Sequence, residues 1–356
     1  MAELLSDTIQ MIRPLDEKAM AEARERQDML TKPQGSLGRL EELSIQIAGI
    51  QGQPIPNIKH KAIITMAGDH GVVAEGVGNW PQEVTAQMVD NFLRGGAGIN
   101  VIARQLDARI TIVDMGIAGK PEANPGLISR RIAPGTANMT AGPAMTEGQA
   151  IKAIETGIQI VNDEVAKGLD IVGTGDMGIG NTTASSAICA VITGRPAKDV
   201  TGRGTGITDE QLAHKTAMVN KALEVNMPDP ANPLEVLAKL GGFEIGGLAG
   251  VMLAAAAHRI PVVIDGFISG AAALIATSLA PQLKDYLIGG HLSAEGGHRI
   301  MLEHMGVKPL LDLGMRLGEG TGAALGIFFS ETACRVLAEM STFAEAGVSE
   351  ESEPES

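Results

Sequence analysis

The chain has 356 residues, enough for one large domain or two smaller ones, and its 44% hydrophobic and 20% charged content is that of an ordinary globular protein. A formal net charge of −14 argues against DNA, RNA or an acidic membrane surface as a partner, yet leaves room for a small phosphorylated ligand held by backbone N–H groups. With 45 Gly against six Phe, one Tyr and one Trp, the core must be built from Ala, Val, Ile, Leu and Met, and tight turns and close backbone approaches are expected.

In chain order, the first residues carry early acids and lack the apolar run of a signal peptide. Residues 1–50 read as helical, with apolar spacing over Ala19–Leu30 and Leu40–Ile50 separated by the loop Lys32-Pro-Gln-Gly-Ser-Leu-Gly38. From about residue 60, short β-rich runs alternate with Ala-rich helices: 61–67, 108–113, 169–172, 261–264 and a weaker run at 286–288. Near-continuous apolar strands alternating with helices predict a mostly parallel α/β sheet with helices on both faces. The four stronger strands lead into Gly68-Asp-His-Gly71, Asp114-Met-Gly-Ile117, Gly173-Thr-Gly-Asp-Met-Gly178 and Asp265-Gly-Phe-Ile-Ser269. Parallel sheets bind ligands at this carboxyl edge. The last helix spans about Gly322–Met340, and an acidic, disordered tail is expected after it. The run Leu248–Ala257 is too short to span a membrane, and Cys189 and Cys334 sit in apolar stretches as buried free thiols, so a reducing cytoplasm is the expected compartment.

Three segments hold candidate chemistry. Gly173–Thr183 is a glycine-rich turn feeding a helix N-terminus, with Asn181, Thr182 or Thr183 available as N-cap; it suits a phosphate, or is a plain turn using Gly for positive φ. Its Gly173-x-Gly175-x-x-Gly178 spacing also fits the dinucleotide fingerprint of an NAD-dependent oxidoreductase. However, the helix starts after Gly180, and the acid about 20 residues on, Asp199, sits in a loop. Glu319, between Gly318 and Gly320, is either a general base whose pKa burial would raise or a solvated cap of the following helix, the commoner case. Asp69-His70, with Glu75 nearby, lacks a zinc ligand set and reads as a loop-structuring pair. His291 and His298 flank Ser293, a candidate helix cap with Glu295 in the first turn; the segment is either a second anion site or merely a cap, and Lys215 is either a surface lysine or an anion partner.

Seven strings, in order over roughly residues 10–340, together resemble the nicotinate-nucleotide:dimethylbenzimidazole phosphoribosyltransferase family. They are Lys32-Pro-Gln-Gly-Ser-Leu-Gly-Arg-Leu40, Gly68-Asp-His-Gly-Val72, Gly178-Ile-Gly-Asn-Thr-Thr183, Gly241-Gly-Phe-Glu244, Asp265-Gly-Phe267, His291-Leu-Ser-Ala-Glu295 and Met315-Arg-Leu-Gly-Glu-Gly-Thr-Gly322. The resemblance implies transfer of phosphoribose from nicotinate mononucleotide to 5,6-dimethylbenzimidazole in cobalamin assembly, without cofactor or metal. It implies a Rossmann-like α/β domain over 59–325, and a small helical domain from 1–58 and the helix 326–345, with 346–356 as tail. It also implies a homodimer.

By the same resemblance Glu319 is the catalytic base. Gly175, Asp176, Met177, Gly178, Gly180, Asn181, Thr182, Lys215 and Ser293 line the nucleotide and phosphate site; Trp80, Met88 and Leu317 line the base pocket. Asp176 stands where relatives commonly have Glu. Trp80 and Met88 stand where a small polar residue and Gln occur in some relatives, which bears on base selectivity. A non-catalytic nucleotide sensor on the same fold would leave Glu319 dispensable.

Overall fold

A computed structural model describes residues 3–204 and 206–349 of the chain; residues 350–356, most of the expected acidic tail, lie outside the described residues. Three helices come first, α1 (Glu3–Met11), α2 (Glu17–Met29) and α3 (Arg39–Gln51). Strand β1 (Lys61–Gly68) is followed by α4 (Glu83–Arg94) and α5 (Gly98–Gln105), then β2 (Arg109–Gly116), a short β3 (Leu127–Ser129) and α6 (Glu147–Val165). After β4 (Ile171–Met177) come α7 (Asn181–Thr193), α8 (Ala197–Val200), α9 (Asp209–Asn226), α10 (Pro233–Leu240) and α11 (Phe243–Ala257). The remainder is β5 (Val262–Ile264), α12 (Phe267–Leu279), β6 (Leu287–Gly289), α13 (Gly296–Met305), α14 (Thr321–Glu339) and α15 (Phe343–Ala346).

The strands form one sheet in the order β3-β2-β1-β4-β5-β6, every pairing parallel. This is the expected α/β class, and the order matches the doubly wound dinucleotide-binding arrangement with its crevice between the first strand of each half, here β1 and β4. β1 is buried at all eight positions because helices cover both faces. α11 is apolar all round and packs against α6 as a core helix. Gly157 of α6 and Gly250 of α11 permit that contact: a Cβ on Gly157 would collide with the Gly247 carbonyl, and one on Gly250 with the Ile154 carbonyl. α2, α3 and α14 pack on one another, and Arg26 donates to the carbonyl of Leu337 at 2.7 Å, tying the two ends of the chain together.

Several elements depart from the sequence reading. β4 runs to Met177, so Thr174–Met177 is strand, not loop; β1 reaches Gly68 and β2 reaches Gly116. The residues read as loop because they are Gly-rich, but their backbones pair with a neighbouring strand, Thr174 with Ile64 through Met177 with Ala67, and that ladder outweighs weak local propensity. β3 is a three-residue edge strand, too short to show a periodicity in the sequence. The helix after the glycine turn has Gly180 at its N-cap, with no side-chain cap, instead of Asn181, Thr182 or Thr183. α13 likewise starts from Glu295, so Ser293 is not its N-cap; its Oγ accepts from the Glu295 N–H at 3.3 Å. Cys189 and Cys334 are buried free thiols, pushed up to about 12 by burial.

Candidate active site

Between β4 and α7 the chain turns within Gly178-Ile-Gly180 at the sheet's carboxyl edge. Glycine is required twice. A Cβ on Gly178 would collide with the Gly68 carbonyl at the end of β1, and Gly180 adopts φ +95° beside Val73 and His70. The turn is pinned from α4: the Ile179 N–H donates to Thr85 Oγ1 at 3.1 Å, and the Thr85 hydroxyl donates to Asp69 Oδ1 at 2.7 Å. The other Asp69 oxygen accepts from the Ala118 N–H at 2.8 Å. His70 is buried against Glu244 at 2.6 Å. Burial alone would lower its pKa, but the Glu244 and Asp69 carboxylates outweigh it and hold it raised. Asp69 thus ties the turn to α4 and to the segment after β2, while His70 pairs with Glu244. Glu75 lies apart, accepting from Asn138 and Thr140.

Lys215 corrects the surface reading. It is 1% exposed, its ammonium donating to Thr182 Oγ1 at 2.8 Å and to the Gly202 carbonyl at 3.2 Å. Burial lowers its pKa to about 8, with the buried Glu295 carboxylate opposing that fall. Glycine at 202 leaves room for the Glu295 carboxylate, which a Cβ there would push aside. The lysine lines a pocket of about 60 Å³ together with Trp80, Gly178, Gly180, Asn181, Thr182 and Arg203. A positive charge, a hydroxyl and a helix N-terminus thereby converge in one crevice, the combination that holds a phosphate.

Glu319 sits on the segment before α14 with φ +65°, between Gly318 at +82° and Gly320 at +99°. It is 4% exposed, so it is not a solvated residue. Nor does its side chain cap the helix that follows: Oε2 accepts from the Ile99 N–H at 3.0 Å, at the start of α5. Burial raises its pKa, and the N–H groups of Ile99 and Gly98 oppose the rise. Leu317 reaches the same spot, 3.0 Å from where a Gly98 Cβ would stand, while its own surface is largely exposed. Met88, on α4, is half-buried against the apolar cluster that contains Ile99.

Asp176, at the end of β4, is buried, accepts from Asn181 Nδ2 at 3.0 Å and lies under Gly318. Its pKa is raised well above its ordinary value by burial and by the nearby Asp265 and Glu244 charges. The structure therefore brings Gly175, Asp176, Gly318 and Glu319 into one cluster, and Gly178, Gly180, Asn181, Thr182, Lys215 and Trp80 into the adjoining pocket. Met177 ends β4 beside Ala67, and Ser293, buried, gives its N–H to His298 Nδ1 at 3.0 Å on the β5 side. Trp80 shares its pocket with the glycine turn, and neither Met88 nor Leu317 lines that pocket. Asp199, the acid that the dinucleotide reading needed at a strand end, lies on the four-residue α8. Sequence reasoning gives no role to Thr65 or Asp265 and places Glu295 in a helix first turn, not beside Lys215; Asp265 at a strand terminus is the one positional signal available.

A phosphoribosyltransferase family model matches residues 12–348. The chain is 59% identical over 348 residues to a protein of Desulforudis audaxviator (strain MP104C), covering 98% of this chain and 99% of that one. It is 60% identical over 346 residues to one of Roseiflexus sp. (strain RS-1), covering 97% and 98%. Both bear the name nicotinate-nucleotide–dimethylbenzimidazole phosphoribosyltransferase. The crystal structure of a protein of that name from Thermus thermophilus is similar at TM-score 0.90 and 46% identity, covering 95% of this chain and all of that one.

Proposed function

Because the chain belongs to the nicotinate-nucleotide–dimethylbenzimidazole phosphoribosyltransferase family, we propose that it transfers the phosphoribosyl group of nicotinate mononucleotide to 5,6-dimethylbenzimidazole, giving α-ribazole 5′-phosphate and nicotinate for cobalamin assembly. One nitrogen of the benzimidazole forms a bond to C1′ of the ribose as the bond from C1′ to the pyridinium nitrogen breaks, its electron pair leaving with nicotinate. The other benzimidazole nitrogen gives its proton to Glu319. Attack from the face opposite the leaving group turns a β-linked donor into an α-linked product. The pyridinium is already a good leaving group, so the chemistry asks for positioning and one base.

The observation that carries this reading is Glu319: a buried carboxylate with a raised pKa, fixed at the carboxyl edge of the sheet beside a phosphate-competent pocket. A base of this kind is nearer neutrality than a solvated glutamate and takes up a proton more readily. Lys215, Thr182 and the N-terminus of α7 are read as the phosphate partners, with Gly175, Asp176, Met177 and Ser293 completing the nucleotide site. Trp80, Met88 and Leu317 are read as the base pocket. We also propose a homodimer in the cytoplasm, with the two chain ends forming a small helical domain.

The test is an HPLC assay with both substrates and no added metal, wild type beside Glu319→Gln. The reading expects α-ribazole phosphate from the wild type and a loss on the order of 10²–10⁴ in the variant. Equal turnover by both proteins refutes the base; no product from either with any related azole or phenol refutes the reaction.

A further inference from the structure

Three successive residues in left-handed backbone conformation, Gly318, Glu319 and Gly320, cannot join a regular hydrogen-bond ladder, and the non-glycine among them carries a steric cost. Something else must hold them. Glu319 C=O and Gly320 N–H are the two poles of a single peptide group. The oxygen accepts from Thr65 Oγ1 at 3.1 Å, and the N–H donates to Asp265 Oδ2 at 3.2 Å. The second Asp265 oxygen accepts from the N–H groups of Gly322 at 2.6 Å and Ala323 at 3.1 Å, the first turn of α14, which has no side-chain cap of its own. Thr65 belongs to β1 and Asp265 follows β5, so strands on either side of β4 reach over it to grip the same peptide.

From this geometry we propose that Asp265 and Thr65 are positioning residues for the catalytic base: they fix the plane of the Glu319–Gly320 peptide and hence the direction in which the Glu319 carboxylate projects. The inference rests on the reading of Glu319 as the base. An ordinary helix cap would come from the residue before the helix, in solvent, at little electrostatic cost. Asp265 instead is fully buried, comes from a distant strand, and brings a third carboxylate into a region that already holds Asp176 and Glu319. A carboxylate is costly there, and its hydrogen bonds to the Gly320 N–H and to the first turn of α14 offset that cost while tying the loop to the helix.

The experiment compares kcat and the KM for nicotinate mononucleotide in Asp265→Ala, Asp265→Asn and Thr65→Val, with Glu319→Gln as reference and a thermal melt of each. Loss of the clamp frees the loop by roughly 1 Å, so kcat should fall about 100-fold in Asp265→Ala. It should fall about tenfold in Thr65→Val, which removes one hydrogen bond at constant shape. Asp265→Asn keeps an acceptor oxygen and should recover part of the rate. In all three the nucleotide KM should stay within about twofold, because the pocket around Lys215 is built from other residues. Rates within twofold of wild type in Asp265→Ala and Thr65→Val, with Glu319→Gln inactive, overturn the proposal. So does a fall in kcat that merely tracks a rise in KM and a lowered melting temperature. If Asp265→Ala does not fold, Thr65→Val decides alone. Full activity in Glu319→Gln removes the base itself, and that result is told apart by the reference variant.

Discussion

Gly175→Ala tests the placement of the base without altering any charged or hydrogen-bonding side chain. Gly175 lies in β4 directly beneath the Glu319 peptide. A Cβ there would stand 2.7 Å from the Glu319 carbonyl carbon and 2.8 Å from Thr65 Oγ1, nearer still to the carbonyl oxygen, where real Cβ atoms do not come within 3.0 Å. The obstacle is backbone on one side and a fully buried threonine on the other, so neither yields by a rotamer change. The Glu319 segment must retreat by roughly 1 Å to reach ordinary contact, a displacement that costs about 10² in rate when it moves a catalytic group. Overpacking of this size also costs about 1–3 kcal/mol of stability. Steady-state assays and a denaturation midpoint measure both. The expected result is a kcat loss near 10² in a protein that remains folded. Activity within threefold of wild type, at unchanged midpoint, would refute the argument that the Glu319 backbone is held on β4.

Three further outcomes follow from neighbouring residues. Lys215 loses its charge as pH rises through about 8, so affinity for nicotinate mononucleotide should weaken above that pH, and Lys215→Met should raise the KM roughly 10–100-fold at pH 7 and abolish the dependence. Stability should move the other way: between about 8 and the ordinary 10.5 the native state binds fewer protons than the unfolded one, so this group makes unfolding harder as pH rises. A KM that is flat from pH 7 to 9 contradicts the first outcome, and a lysine-to-methionine variant with the same pH slope in chemical denaturation contradicts the second. Trp80→Ala should raise the KM of the attacking base by about tenfold while leaving that of the nucleotide unchanged. Equal losses would place the ring on the nucleotide side of its pocket, where its neighbours are the glycine turn and Lys215.

What was legible in the sequence is what is encoded at short range. Apolar runs of strand length, each leading towards glycine and an acid, located five of the six strands and the carboxyl edge that carries the site. The strand ends were read too short because glycine weakens a strand in isolation, whereas Thr174–Met177 is held by a partner more than a hundred residues earlier in the chain. Lys215 reads as a surface residue in the sequence because a buried lysine is costly. Its partners Thr182, Gly202 and Glu295 come from three other segments, and no local pattern announces their meeting.

Glu319 shows most clearly how a local rule misleads. A glutamate preceding a helix is ordinarily a cap of that helix, and the residue does place its carboxylate on helix N–H groups. The helix is α5, some 220 positions away, and the N–H groups are those of Gly98 and Ile99. Its own helix takes its cap from Asp265, which lies 57 positions before Gly322 in the chain. Each acid thus caps a helix other than the one it precedes, and for Glu319 this has a chemical consequence. A carboxylate capping its own helix would be solvated and weakly basic. One drawn across to α5 is buried, and the burial raises its pKa while two N–H groups keep it oriented and limit the rise. The same contacts that defeat the local reading of Glu319 are those that suit it to accept a proton.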